Sequence, residues 1–222
     1  MKLMLRTWWW LGLAVLMLAG DPAVYAATSK TSTPAASASA KPPRKDSMTR
    51  DPYLGAIAVD AASGKILFED RADARGYPAS VLKLMDLLII LERIEQRQFS
   101  FQDQVTVSAR AAKTGGSQVW LAEKEGFTID GLPYALLVQS ANDAAVALAE
   151  RVAGTPEAFV ELMNQRAKEL GMTGTVFRSV HGLPPGAGQQ PDVTTARDLA
   201  RLCRELLKHK DTRTRQRGPQ GA

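Results

Sequence analysis

Cysteine is almost missing from this chain of 222 residues: Cys203 is the one copy, which excludes an internal disulfide framework and any multi-cysteine metal site. Histidine is nearly as scarce, and neither His181 nor His209 stands in a recognisable carboxylate–histidine cluster, so a metal site is not expected. Three of the four tryptophans are Trp8, Trp9 and Trp10, leaving Trp120 alone downstream and little material for stacking on bases. A strong charge excess is also lacking. Lys plus Arg number 28 against 23 Asp plus Glu, a formal +5 that by itself names no nucleic-acid partner. That excess is local: from Arg197 to Arg217 eight basic residues face Asp198, Glu205 and Asp211. The interspersed acids argue against a nucleic-acid surface there. Hydrophobic residues make up 45% of the chain, enough for one ordinary domain that must stand on its core.

The apolar run from Trp8 to Ala19 falls short of the roughly 20 residues that a membrane span needs. With Lys2 and Arg6 before it and Val24-Tyr25-Ala26 after it, residues 1–26 read as a secretory signal. An uncleaved anchor, with Trp8 to Trp10 at a membrane interface, is the alternative, and membrane association stays open. Residues 27–52 are Ser, Thr, Pro, Ala and Lys with almost nothing to bury, a flexible linker. The folded domain is expected over 53–210, and 211–222 as a disordered tail.

Within the domain, Leu54 to Val59 and Lys65 to Phe68 flank Asp60-Ala61-Ala62-Ser63-Gly64, which predicts a β-hairpin. From Ser80 to about Gln98 the pattern is helical and apolar nearly all round, which predicts a central helix. Further helices are expected at Leu132–Val138, at Asp143–Ala153 ended by Gly154, and at Pro156–Leu170 with Thr155 as cap. A last helix after Thr194-Thr195 carries Leu199, Leu202, Cys203 and Leu206 on one face, which makes Cys203 a core thiol.

Ser80 and Lys83 lie one helical turn apart, a spacing that brings a hydroxyl and an amine within reach on one face. A serine is a weak nucleophile until a base takes its proton, and a lysine serves as that base only when burial or nearby cations lower its pKa. Asp86, one turn further, would oppose that role if it faced Lys83. Composition alone supplies about 0.6 Ser-x-x-Lys pairs, so a capping serine followed by a surface lysine explains this pair equally well. Ser140-Ala141-Asn142 is rarer, about 0.1 by chance, and sits between two helices on a turn from which both polar side chains could enter a cleft. There Ser140 could relay a proton and Asn142 could orient the lysine and a substrate; a plain helix cap is the alternative.

With these residues in place, the chain resembles the serine-type D-alanyl-D-alanine carboxypeptidases, the low-molecular-weight penicillin-binding proteins of peptidase family S11. Pro78-Ala79-Ser80-Val81-Leu82-Lys83-Leu84-Met85 matches the family's first motif and Ser140-Ala141-Asn142 its second. Gly115-Gly116-Ser117, His181-Gly182-Leu183 and Thr195 to Ala200 are also similar to family segments, and the likeness runs from about Tyr53 to Leu207. Leu82 and Asp86 depart from the family's usual threonines. The resemblance implies an α+β fold, a β-lactamase/transpeptidase-like helical cluster with an antiparallel sheet. It implies Ser80 as nucleophile, Lys83 as base, Ser140 and Asn142 as their partners, and no cofactor. The implied substrates are peptidoglycan stem peptides ending in D-Ala-D-Ala, with β-lactams as acylating inhibitors. The implied location is the periplasm or the outer face of the bacterial cytoplasmic membrane.

The family's third motif, Lys-Thr-Gly on a sheet-edge strand, follows the second motif in sequence. Lys113-Thr114-Gly115 precedes Ser140 and reads instead as a turn with two glycines. The later strands are therefore expected to be missing through a premature end or a shifted frame. Part of the central helix and an edge of the hairpin would then lie uncovered. The resemblance places one oxyanion-hole donor on that strand, and losing such a donor costs about 2.7 to 4 kcal/mol of transition-state stabilisation. A non-catalytic cell-wall-binding or regulatory domain of the same family is the competing expectation. His181 is expected to order its loop.

Overall fold

The structure, a computed structural model, describes residues 53–209. The expected leader, linker and tail lie outside the described residues. The order of elements is β1 (Ala56–Val59), β2 (Ile66–Asp70), a 3-10 turn (Ala79–Leu82), α1 (Lys83–Glu95), β3 (Gln104–Thr106), α2 (Ala109–Ala112), β4 (Gly126–Thr128), α3 (Gly131–Val138), α4 (Asn142–Ala153), α5 (Pro156–Glu169) and α6 (Ala196–Leu206). No helix among the described residues is long and apolar enough to cross a membrane.

The hairpin forms where the turn chemistry places it. The Asp60 carboxylate accepts from the Ser63 amide at 2.7 Å, and the Asp60 carbonyl accepts from Gly64 N–H at 2.8 Å. β1 and β2 then pair antiparallel from Ala56 opposite Asp70 to Val59 opposite Ile66, with an irregularity between Ala58 and Val59. α6 supports this hairpin: Arg197 pairs with Glu69 at 2.7 Å and Asp73 at 2.8 Å, and Arg204 donates to the Ala61 carbonyl. The second sheet is a small ribbon, β3 antiparallel to β4, with Val105 opposite Phe127.

Helix α1 is the centre of the core, as its all-round apolar sequence requires. Met85 and Leu87 to Leu91 are at most 4% exposed, enclosed by α3, α4, α5 and α6. The core residues of α1 are therefore covered, contrary to expectation, while the hairpin is exposed, as expected. Ile66, Leu67 and Phe68 on β2 are 44%, 64% and 53% exposed. Small residues let α4 approach closely: Ala144 to Ala149 are all buried. Thr155 caps α5 by accepting from Ala158 N–H, with Pro156 in the first turn, and Thr195 caps α6 in the same way through Asp198 N–H.

Arg166 of α5 ties three helices together, meeting Glu92 of α1 at 2.7 Å and Glu205 of α6 at 3.4 Å. His209 joins this group. Its Nδ1 lies 2.8 Å from Glu95, and ligating atoms of Glu92, Glu205 and His209 lie within 4.8 Å of one another. The expectation that neither histidine joins a carboxylate cluster is thus corrected for His209, because helix packing assembles what sequence spacing separates. Arg166, hydrogen-bonded to both glutamates, already supplies the positive charge there. Cys203 is half-buried, and that burial pushes its thiol pKa up.

Candidate active site

The two polar segments singled out in the sequence meet at one amine. Lys83 is the first residue of α1 and only 2% exposed. Its Nζ lies 2.6 Å from Asn142 Oδ1, 2.7 Å from the Ser140 carbonyl, 3.1 Å from Ser140 Oγ and 3.2 Å from Ser80 Oγ.

Local backbone shape explains this convergence. The helical run does not begin at Ser80. A 3-10 turn covers Ala79–Leu82, entered through Ala79 at φ +46°, and α1 proper starts at Lys83. Gly182 fixes that entry: at φ +73° its backbone packs so closely on the Ala79 carbonyl that no Cβ would fit. On the other side Ser140 is left-handed, at φ +57°, and both its carbonyl and its hydroxyl reach Lys83. Asn142 is not on the turn as expected but opens α4, with Ala141 at the cap position making no side-chain cap bond. The plain-cap alternative for Ser140 and Asn142 is therefore set aside.

Sequence reasoning missed the support behind Asn142. Its Nδ2 donates to the Gly115 carbonyl at 2.8 Å, its backbone N–H donates to the Ser117 carbonyl at 2.7 Å, and Ser117 Oγ donates to the Gln139 carbonyl at 2.6 Å. The string Lys113-Thr114-Gly115 thus lies on the turn after α2, where it braces the second segment. Asp143, fully buried, accepts backbone N–H groups of Val119, Leu121 and Ala144 and holds the neighbouring loop. Its flanking position beside Asn142 was the available signal. His181 Nδ1 accepts from Leu183 N–H at 3.1 Å and orders the loop that carries Gly182. Two clefts, of about 540 and 510 Å³, are both lined by Leu183, and Ala79 lines the smaller.

The electrostatics of the amine are opposed. Burial lowers the Lys83 pKa, with Asp86 and Asp143 pulling it back up. The amine also lies at the N-terminus of α1 and contacts the N-terminal residue of α4, and the partial positive charge of both helix ends disfavours an ammonium ion. The neighbouring atoms can serve the uncharged form. A neutral amine has two hydrogens and one lone pair. The Asn142 and Ser140 carbonyl oxygens can only accept and so take the two N–H bonds, which leaves the lone pair for a serine hydroxyl. Such an amine can take a proton from Ser80 or Ser140.

Comparison with known proteins gives the family. The profile of the D-alanyl-D-alanine carboxypeptidase family matches residues 48–217. This chain belongs to that family. It is 40% identical over 158 residues to the D-alanyl-D-alanine carboxypeptidase DacC of Escherichia coli, across 68% of this chain and 38% of that protein. Its fold matches the crystal structure of the D-alanyl-D-alanine carboxypeptidase DacD of Francisella tularensis with a TM-score of 0.68 at 35% identity, over 72% of this chain and 38% of that one. It also matches penicillin-binding protein D2 of Listeria monocytogenes, crystallised in an ampicillin-bound form, with a TM-score of 0.63 at 29% identity over 71% and 63% of the two chains. The α+β fold expected from the sequence is the fold of these proteins. The chain spans about two-fifths of the length of the curated relatives it matches.

Proposed function

We propose that this chain performs the acyl-transfer chemistry of a serine D-Ala-D-Ala carboxypeptidase on peptidoglycan stem peptides. The observation that carries the reading is the buried Lys83 amine, held by two carbonyl oxygens with its remaining direction facing serine hydroxyls. Ser80 Oγ attacks the carbonyl between the two D-alanines while its proton passes to Lys83, directly or through Ser140. The C–N bond breaks, the departing D-alanine amine takes the proton, and water then hydrolyses the Ser80 ester. Asn142 orients Lys83. Family membership and the ampicillin-bound relative support β-lactams as acylating inhibitors at the same serine. The leader-like residues 1–26 support export to the periplasm or the outer face of the cytoplasmic membrane, where such stem peptides are found.

A non-catalytic cell-wall-binding role is the second reading, favoured by the exposed apolar residues of β2. A fluorescent penicillin decides between them. Covalent labelling of the purified chain that disappears in Ser80→Ala supports the enzyme; a folded chain, shown by circular dichroism, with no Ser80-dependent label refutes it.

A further inference from the structure

Asp86 has no part in the acylation scheme, yet it lies one turn beyond Lys83 on α1 and is 1% exposed. Neither of its carboxyl oxygens meets a hydrogen-bond partner. The other buried carboxylates facing this region are engaged. Asp143 on α4 receives three backbone N–H groups, and Asp192 receives those of Arg178 and Ser179 together with the Ser179 hydroxyl. An anion at Asp86 therefore has nothing to balance it except the amine one turn away, about 5 to 6 Å between β-carbons at this spacing.

The charges around the pair act in opposed directions. Burial drives Asp86 well above the usual carboxylate range, Lys83 draws it back, and Asp192 adds to the rise. On the amine the order reverses: burial lowers it, while Asp86 and then Asp143 raise it. His181 is held below its ordinary value by burial, and it senses Asp192, Lys83 and Arg110.

Building on the acyl-transfer reading, we propose that Asp86 is a positioning residue for Lys83: their charges are coupled through space across a turn of α1, and Asp86 thereby governs when the amine is free to act as a base. Two forms with the same number of protons compete: lysine ammonium with aspartate carboxylate, and lysine amine with aspartic acid. The first form holds Lys83 inactive; the second releases it. Removing the acid removes the first form.

The test uses Asp86→Asn, which keeps the shape and abolishes the charge. The acid limb of Ser80 acylation by a fluorescent penicillin should move to lower pH by about one unit, roughly a tenfold faster reaction on the acid side. In protein labelled with ¹³C-lysine, the Lys83 Cε titration should move in the same direction by the same amount, and this reading needs no turnover. Asp86→Thr, also neutral, is read in the same way if the asparagine variant fails to fold. A Lys83 titration that stays in place or moves to higher pH overturns the proposal, even if both variants alter stability. A folded wild type that never labels overturns the acyl-transfer reading alone, since the Lys83 titration still reports the coupling.

Discussion

Replacing Gly182 by alanine tests whether the loop after α5 seats the nucleophile. Gly182 is at φ +73°, and an added Cβ would run into the carbonyl of Ala79, the residue immediately before Ser80. The same loop offers its own control, because Gly188 is at φ +78° with nothing within 4 Å of the added atom. Both substitutions carry the left-handed backbone penalty, about 1–2 kcal/mol. Only Gly182→Ala adds overpacking, a further 1–3 kcal/mol or so, by forcing the loop off Ala79. Gly188→Ala should thus lose about 1–2 kcal/mol and Gly182→Ala about 2–5 kcal/mol, a large part of the usual 5–15 kcal/mol of a domain. Urea unfolding followed by circular dichroism measures both. Penicillin labelling, read below the unfolding transition, should fall at least tenfold in Gly182→Ala and be unchanged in Gly188→Ala. Equal stability losses would show that the contact with Ala79 is energetically empty. Full labelling in a strongly destabilised Gly182→Ala would show that the contact does not position Ser80.

Asn142→Asp places an anion where an amide oxygen lies 2.6 Å from Lys83 Nζ. At an effective dielectric near 20 and a separation of about 4 Å the attraction approaches 4 kcal/mol, so the Lys83 titration should rise by about two units or more and acylation near neutrality should fall by at least a hundredfold. An unshifted pH–rate profile would exclude Lys83 as the base. Arg166→Ala leaves Glu92 and Glu205 facing one another without their guanidinium partner. It should cost about 2–3 kcal/mol, as read by urea unfolding. Burial pushes the Cys203 thiol up, so at pH 8 Ellman's reagent should modify it slowly in the folded protein and rapidly in urea.

Local chemistry made much of the fold legible. Asp60 to Gly64 marked the hairpin, and Thr155-Pro156, Gly154 and Thr195 marked helix ends to within a residue or two. The elements that escaped are those too short to carry a period. β3 and β4 have three residues each and α2 has four, less than two cycles of either pattern. The start of α1 was misplaced for another reason. The 3-10 turn before Lys83 is entered at Ala79, whose carbonyl is held against Gly182, a hundred positions away in the chain. The candidate site was legible as two motifs, and only the family resemblance joined them. Gly115-Gly116-Ser117 was visible as a family-like segment, but its support of Asn142 was not, because Gly115 and Ser117 hold that residue through backbone carbonyls, which any residue carries. Asp86 was visible as a conflict, yet its lack of hydrogen-bond partners emerges only from packing.

The placement of the reactive groups ties the site to the helical core and frees it from the sheet. Lys83 and Asn142 are the first residues of α1 and α4, and the residues that follow each are core: Met85 and Leu87 to Leu91 on one helix, Ala144 to Ala149 on the other. A shift of either helix moves the amine relative to the amide. Close helix packing and the Gly115–Ser117 turn therefore set the 2.6 Å contact between them together. The exposed apolar strand β2 belongs to a hairpin that α6 holds through Arg197 and Arg204, not through α1 or α4. Covering or polarising β2, for instance by Leu67→Lys at a side chain 64% exposed, should change solubility while leaving the Lys83 cluster in place. Trimming the core under the cluster, by Leu88→Ala at a residue with no exposure, should do the opposite.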